Sequence, residues 1–353
     1  MASRITVAYK LLDCKTRLGL PSKLEVTNCD FKFLTSCKFI GYHTLDTQGG
    51  EKVKGELLES ALALCYSAGI MPPVTQIKAL IRLLSDEDER VAHTIAGKLA
   101  EIGDPAVPLL REAEIEQPEM AARISEVLDD IQAQQLESEF HALSACEDDN
   151  LDLEAGAFLI ARFAYPDLDV PAYVDMLDAM AREVRERLGR KASGEEIVKT
   201  INRYLFVEQG FAGNTREYYD IDNSYLSKVL DRKTGIPISL SVVYLLVAKR
   251  LDLPVFGVGM PGHFLVKYEA DRYRIFVDSF NGGALLTQKD CARFLDQAGY
   301  GFDERYLQKT PARSILIRMI KNIVAIHNKM DDSAKAARLT RFIEILGLPD
   351  KDD

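Results

Sequence analysis

Residues 238–251, Ile-Ser-Leu-Ser-Val-Val-Tyr-Leu-Leu-Val-Ala-Lys-Arg-Leu, offer almost no polar face to water. A run this long is a helix rather than a strand. A helix that is apolar nearly all round must be enclosed by the rest of its domain. It follows Gly235-Ile236-Pro237, and proline suits a first helical turn, where its missing N–H would be unpaired in any case. Whatever the fold, it is built around this helix.

The next segment, residues 262–278, reads as a β-hairpin. Folded between Ala270 and Asp271, it sets Glu269 against Arg272, Lys267 against Arg274, Leu265 against Phe276, and His263 against Asp278. Phe264, Val266 and Tyr268 then share an apolar face with Tyr273, Ile275 and Val277, as expected for a strand pair with one side on a core. Opposed residues have Cβ atoms about 4.5–5.5 Å apart, so the carboxylate would orient the imidazole. A His–Asp pair is two thirds of an acyl-transfer or hydrolase triad, and the third part is a nucleophile. The favourable place for one is the start of the buried helix, where free N–H groups and the helix dipole stabilise an anion. That start holds Pro237, Ile238, Ser239 and Ser241 and no cysteine. Ser239 is the candidate a histidine base would activate, set against its reading as an ordinary first-turn serine. Cys291 reads as a buried, inert thiol. Two ligands without a nearby third give no metal site at His263 and Asp278.

Gly257-Val-Gly259-Met-Pro-Gly262 matches a dinucleotide fingerprint in letters only, because it leads into a strand instead of opening a helix. No cofactor is expected. The six cysteines include no Cys-x-x-Cys pair, which excludes the usual zinc spacings and fits free thiols in a reducing compartment. A net charge of −10 argues against a nucleic-acid partner and supplies no polybasic membrane anchor. No apolar run approaches the ~18 residues of a membrane span, so the expected location is the cytoplasm.

Residues 1–55 differ from the rest, with nine Lys and Arg against five Asp and Glu and three of the six cysteines. A small domain, a tail and an upstream extension all fit them. Residues 56–136 are helical in pattern. Stripes such as Ile77, Leu80, Ile81, Leu84 and Val91, Ile95, Leu99, Ile102 are closed by Gly103, and Asp104-Pro105 restarts a helix. They resemble one or two HEAT-type units, too few for a free-standing solenoid. Residues 132–150 are polar and acidic and read as a boundary. Residues 152–310 form the core, and residues 311–353 end the chain as a helix pair. The class is α+β, mostly helical.

Four ordered motifs carry a family resemblance: Asn223-Ser-Tyr-Leu-Ser-Lys-Val-Leu, Gly235-Ile-Pro-Ile-Ser-Leu-Ser-Val-Val-Tyr, Pro261-Gly-His-Phe-Leu-Val and Asp278-Ser-Phe-Asn-Gly-Gly. Together they resemble the bacterial transglutaminase-like family related to a regulator of invasion genes, and a similar domain occurs in a eukaryotic F-box protein. The resemblance runs from about Asp152 to Leu348 and includes a tetratricopeptide-like tail. It implies a papain-like α+β core, with His263 and Asp278 in the last two catalytic positions and the cysteine position near residues 237–239, where this chain has no thiol. It also implies that Asn223, Tyr225, Arg232 and Asn281 line a cleft, each set against a local structural role such as helix capping for Asn223 or turn geometry for Asn281. Two functions follow as expectations. The first is a non-enzymatic module that binds a protein or peptide partner in the cleft. The second is a hydrolase or amide transferase using Ser239, His263 and Asp278, with Asn281 or a backbone N–H near Ile238 as oxyanion donor.

Overall fold

The computed structural model describes residues 72–147, 151–189, 191–270 and 273–347. The chain divides into two compact units, residues 1–72 and 73–353. Residues 1–55, the first part of the region expected to be HEAT-like and four of the six cysteines lie outside the described residues.

The second unit begins with helices α1 (Val74–Leu83), α2 (Glu89–Ile102), α3 (Val107–Glu116) and α4 (Ala121–Ser144). Gly103 ends α2 at a φ of 69°, a conformation glycine adopts without Cβ strain. Asp104 does not cap α3; a three-residue 3-10 turn intervenes, and the Asp104 carboxylate accepts a hydrogen bond from Gln135. The expected boundary at residues 132–150 is not a linker as far as Ser144, because α4 runs through it. The polar residues there flank its buried stripe, and Gln132 and Glu139 bond across to Arg162. Its first half buries Ile124, Val127 and Ile131 with the preceding helices. Its second half buries Leu136, Phe140 and Leu143 in the main core.

The core follows: α5 (Leu153–Ala164), α6 (Val170–Arg187), α7 (Gly194–Asn202) continuing as a π-helical turn over Arg203–Glu208, β1 (Ala212–Gly213), α8 (Leu226–Arg232), β2 (Thr234–Gly235) and α9 (Pro237–Arg250). The strands β3 (Val255–Met260), β4 (His263–Ala270), β5 (Tyr273–Asp278) and β6 (Ala284–Leu286) form one antiparallel sheet in chain order. Then come α10 (Gln288–Gln297), α11 (Ala312–Lys329) and α12 (Ser333–Gly347). Every residue of α9 from Pro237 to Ala248 is buried. The helix is enclosed by β3, β4, α6, α8 and α11, as a helix without a polar face requires.

Most of the glycine-rich run is itself strand: residues 257–260 belong to β3, and Pro261 and Gly262 turn into β4. A Cβ at Gly257 would lie 2.9 Å from the Phe264 ring and 3.0 Å from Ile315, so glycine there lets the sheet approach α11. The hairpin register also differs from the expectation. Glu269 pairs with Arg274, Lys267 with Phe276 and Val266 with Val277, which moves the midpoint of the hairpin one residue along; Asp271 and Arg272 lie outside the described residues. Glu269 gains ion pairs to Lys267 and Arg274 in this register. The shift changes partners without flipping faces, because side chains alternate with period two. The face expected to be polar is also covered: Val258, Met260, Leu265, Phe276, Cys291, Leu295 and Leu307 form a second, smaller core beneath α10.

Arg313, at the start of α11, donates to the carbonyls of Ser144 at 3.2 Å, Cys146 at 2.8 Å and Leu346 at 2.8 Å. One cation thus meets the carboxyl ends of both α4 and α12, where unpaired carbonyls carry partial negative charge. Phe140 of α4 stacks on Phe342 of α12 at 4.5 Å in the same junction. Arg313→Ala is expected to lower stability to urea by about 2–3 kcal/mol, and Arg313→Lys to recover only part of it, since one ammonium cannot span three carbonyls. Equal stability of both variants to the parent would show that these contacts contribute nothing.

Candidate functional site

His263 opens β4 and Asp278 closes β5. In the observed register they are diagonal neighbours rather than directly opposed, a separation long side chains still bridge. Nε2 of His263 lies 2.9 Å from Oδ2 of Asp278, with side-chain exposures of 10% and 8%. The expected pairing is therefore made, although by the far ring nitrogen across a diagonal.

The Asp278 carboxylate is saturated. Oδ1 accepts the backbone N–H groups of Phe280 at 3.1 Å and Asn281 at 3.2 Å, and Oδ2 accepts the Asn281 side-chain amide at 2.8 Å. Burial by itself would raise the Asp278 pKa, but the hydrogen bonds and field from His263 and the hydrogen bonds from Asn281 outweigh it, and the carboxyl stays below its ordinary value. An ionised carboxylate only accepts, so Nε2 carries a proton and Nδ1 is left for another partner. Among the described residues nothing hydrogen-bonds Nδ1. The turn is fixed by Gly282 and Gly283, at φ of 64° and 76°, and by Asn202, which donates to the Gly283 carbonyl at 2.6 Å.

Ser239 is not joined to the pair. Its side chain is fully buried. The hydroxyl donates to the Asn223 carbonyl at 2.6 Å and accepts from the Ile236 N–H at 3.1 Å. It ties the loop before α8 to the first turn of α9. Cys291 is buried in the smaller core, and burial pushes its thiol pKa up to about 12, which suppresses the reactive thiolate.

The four expected cleft residues have other partners. Asn223 is fully buried and caps no helix. Its amide donates to the Glu217 carbonyl at 2.7 Å and accepts from Asn214 at 3.1 Å. Tyr225 is buried edge-on against Tyr165, ring centres 5.6 Å apart. Arg232 bridges Asp220 at 2.6 Å and Asp222 at 3.2 Å. Of the four, Asn281 alone touches the His263–Asp278 pair, as a donor to the carboxylate.

The structure adds residues that sequence reasoning missed. Arg318 of α11 donates to the carbonyls of Met260 at 2.9 Å and His263 at 2.8 Å, pinning both ends of the β3–β4 turn. Burial lowers its pKa, though a guanidinium remains charged. A lone arginine in the apolar run Ile315-Leu-Ile-Arg-Met-Ile was the available signal. Phe294 lies 5.4 Å from the His263 ring and Phe280 meets it edge-on at 6.5 Å, with Tyr218 5.9 Å beyond Phe280. Tyr218 is 39% and Phe294 37% exposed, so the imidazole lies between partly exposed rings.

A family model described as the transglutaminase-like superfamily matches residues 171–321, a span that contains all four motifs. A UPF0162 protein of Xylella fastidiosa is 37% identical over 205 residues, covering 56% of this chain and 72% of that relative. A UPF0162 protein of Pseudomonas aeruginosa is 30% identical over 174 residues, 48% of this chain and 63% of the relative. F-box only protein 21 of Mus musculus is 32% identical over 170 residues, 44% of this chain but 26% of the mouse protein. No solved structure matches. Among the described residues no helix is long and apolar enough to cross a membrane.

The lowered Asp278 pKa fixes a pH signature. Asp278 stabilises the fold above its unfolded pKa of about 3.9, and that contribution is lost as pH falls through the lower folded value. Asp278→Asn is therefore expected to be less stable than the parent at neutral pH, with the gap shrinking as pH falls below about 3.9 toward the lower folded value. Denaturant unfolding at pH 7 and near pH 3 measures it, and a gap independent of pH would contradict the assignment.

Proposed function

Since this chain belongs to the UPF0162 family of transglutaminase-like proteins, we propose that it is a non-enzymatic protein-interaction or regulatory module working through the surface around His263. The observation that carries this reading is the commitment of Ser239. The first turn of α9 is where a nucleophile would stand, and it offers a buried hydroxyl already bonded to Asn223 and Ile236 and no cysteine. The His–Asp pair then serves recognition, with Nδ1 left to hydrogen-bond a polar group on the partner, framed by Tyr218, Phe280 and Phe294. Partly exposed aromatic rings around one oriented polar group are the kind of surface that anchors peptides. The flanking helices, HEAT-like before the core and tetratricopeptide-like after it, would extend that surface. The F-box name of the mouse relative is in keeping with a protein-binding role.

The alternative, a hydrolase or amide transferase, requires Ser239 to surrender both hydrogen bonds and to reach His263. A serine-directed fluorophosphonate probe separates the two readings. Intact-mass and peptide analysis of folded protein is expected to show no adduct at Ser239, and an adduct there that disappears in His263→Ala would overturn the proposal. Ser239→Ala is expected to destabilise the fold by about 1 kcal/mol, because the Ile236 N–H and Asn223 carbonyl lose the hydroxyl but keep their own longer bond to each other at 3.4 Å. His263→Ala should leave the fold in place.

A further inference from the structure

We propose that an open depression between α6 and α8, distinct from the His263 surface, is a docking site for an arginine side chain of a protein partner. The depression measures about 610 Å³ and its walls include Tyr165, Tyr173, Asp167, Asp169, Asp231 and Lys228. That volume lies within the range of ligand pockets, about 300–1,000 Å³. It admits one long side chain together with part of its flanking backbone.

The charges select the ligand. Three lining carboxylates outnumber the one lining ammonium, with a single guanidinium, that of Arg111, at the rim. The Tyr173 phenol donates to Oδ2 of Asp231 at 2.9 Å, and Oδ1 of Asp169 accepts the Ala172 N–H at 3.2 Å, so each keeps its second oxygen for a newcomer. Asp167 is 94% exposed at the rim, and a guanidinium nitrogen of Arg111 stands 4.0 Å from it. Burial and the bond to Asp231 push the Tyr173 pKa up to about 12, and the Tyr165 phenol is raised too, so both rings are neutral π-faces. Tyr165 already receives a cation, the Lys228 ammonium 4.2 Å from its ring centre. Among the described residues Lys228 has no carboxylate within ion-pair reach.

A guanidinium fits this lining better than an ammonium. It is planar, stacks on aromatic rings, sheds water more readily and pairs with carboxylates through two N–H groups. An anionic ligand would meet three carboxylates against the Lys228 ammonium and, at the rim, the Arg111 guanidinium. Lys228 therefore acts as an internal competitor for the Tyr165 face, which an arriving arginine displaces.

Two-dimensional amide NMR of the full chain, titrated with N-acetyl-arginine amide, tests this, with N-acetyl-lysine amide and N-acetyl-glutamate amide as comparisons. Shifts are expected around Tyr165, Tyr173 and Asp231, with arginine binding more tightly than lysine. Asp167→Asn is expected to weaken arginine binding about threefold, the scale of a partly screened carboxylate. Lys228→Met is expected to tighten it about threefold by freeing the ring. Weaker arginine binding in Lys228→Met, preferential binding of the glutamate compound, or shifts scattered over the acidic surface would each overturn the proposal.

Discussion

Enclosing α9 is the constraint from which the rest of the structure follows. A helix buried from Pro237 to Ala248 needs apolar cover on every side, and no single neighbour supplies it. The sheet covers it through β3 and β4, and α6, α8 and α11 close the remaining sides. Once these elements are in place, β4 and β5 present His263 and Asp278 at one end of the sheet, and α11 brings Arg318 onto the turn before His263. The site is thus a consequence of how the central helix is buried.

Polar atoms in this core are used to join segments distant in sequence. Ser239 binds the loop before α8 to α9, Asn223 holds that same loop internally, Asn202 clamps the turn after Asp278, and Arg313 meets the ends of two helices. Each adds hydrogen bonds to buried backbone groups, which cost about 1–3 kcal/mol when left wholly unpaired. This bears directly on chemistry. The Ser239 hydroxyl is engaged by backbone groups and not by the imidazole, whereas Asp278 receives three N–H donors besides His263 and stays ionised. The same pair of strands therefore holds an oriented histidine with an open nitrogen, and the helix start holds a structural serine.

Much of the fold was legible in the sequence because it rests on local rules. The buried helix, the proline at its start, the Asn-Gly-Gly turn and the helix pair at the end each follow from periodicity or turn chemistry, and the capping box at Thr287 is formed as its residues indicate. The site was legible in part. The His263–Asp278 pair was readable since parity along strands puts both on one face in any register of the same parity. Its diagonal geometry was not, because a turn moved by one residue leaves the face pattern unchanged. Nor was the continuation of α4 through an acidic stretch, where apolar residues spaced along one face, Leu136, Phe140 and Leu143, were outnumbered by polar neighbours.

By itself the sequence determined which residues must be inside and on which strand face each candidate stands, for hydrophobic pattern and alternation are properties of the chain alone. Only the tertiary structure decided what each polar side chain binds. It gave Ser239 to the backbone, Arg232 to Asp220 and Asp222, and Arg318 to the turn at His263. Hydrogen bonds are settled by ångström-scale distances between segments tens of residues apart, and a one-dimensional pattern does not specify those distances.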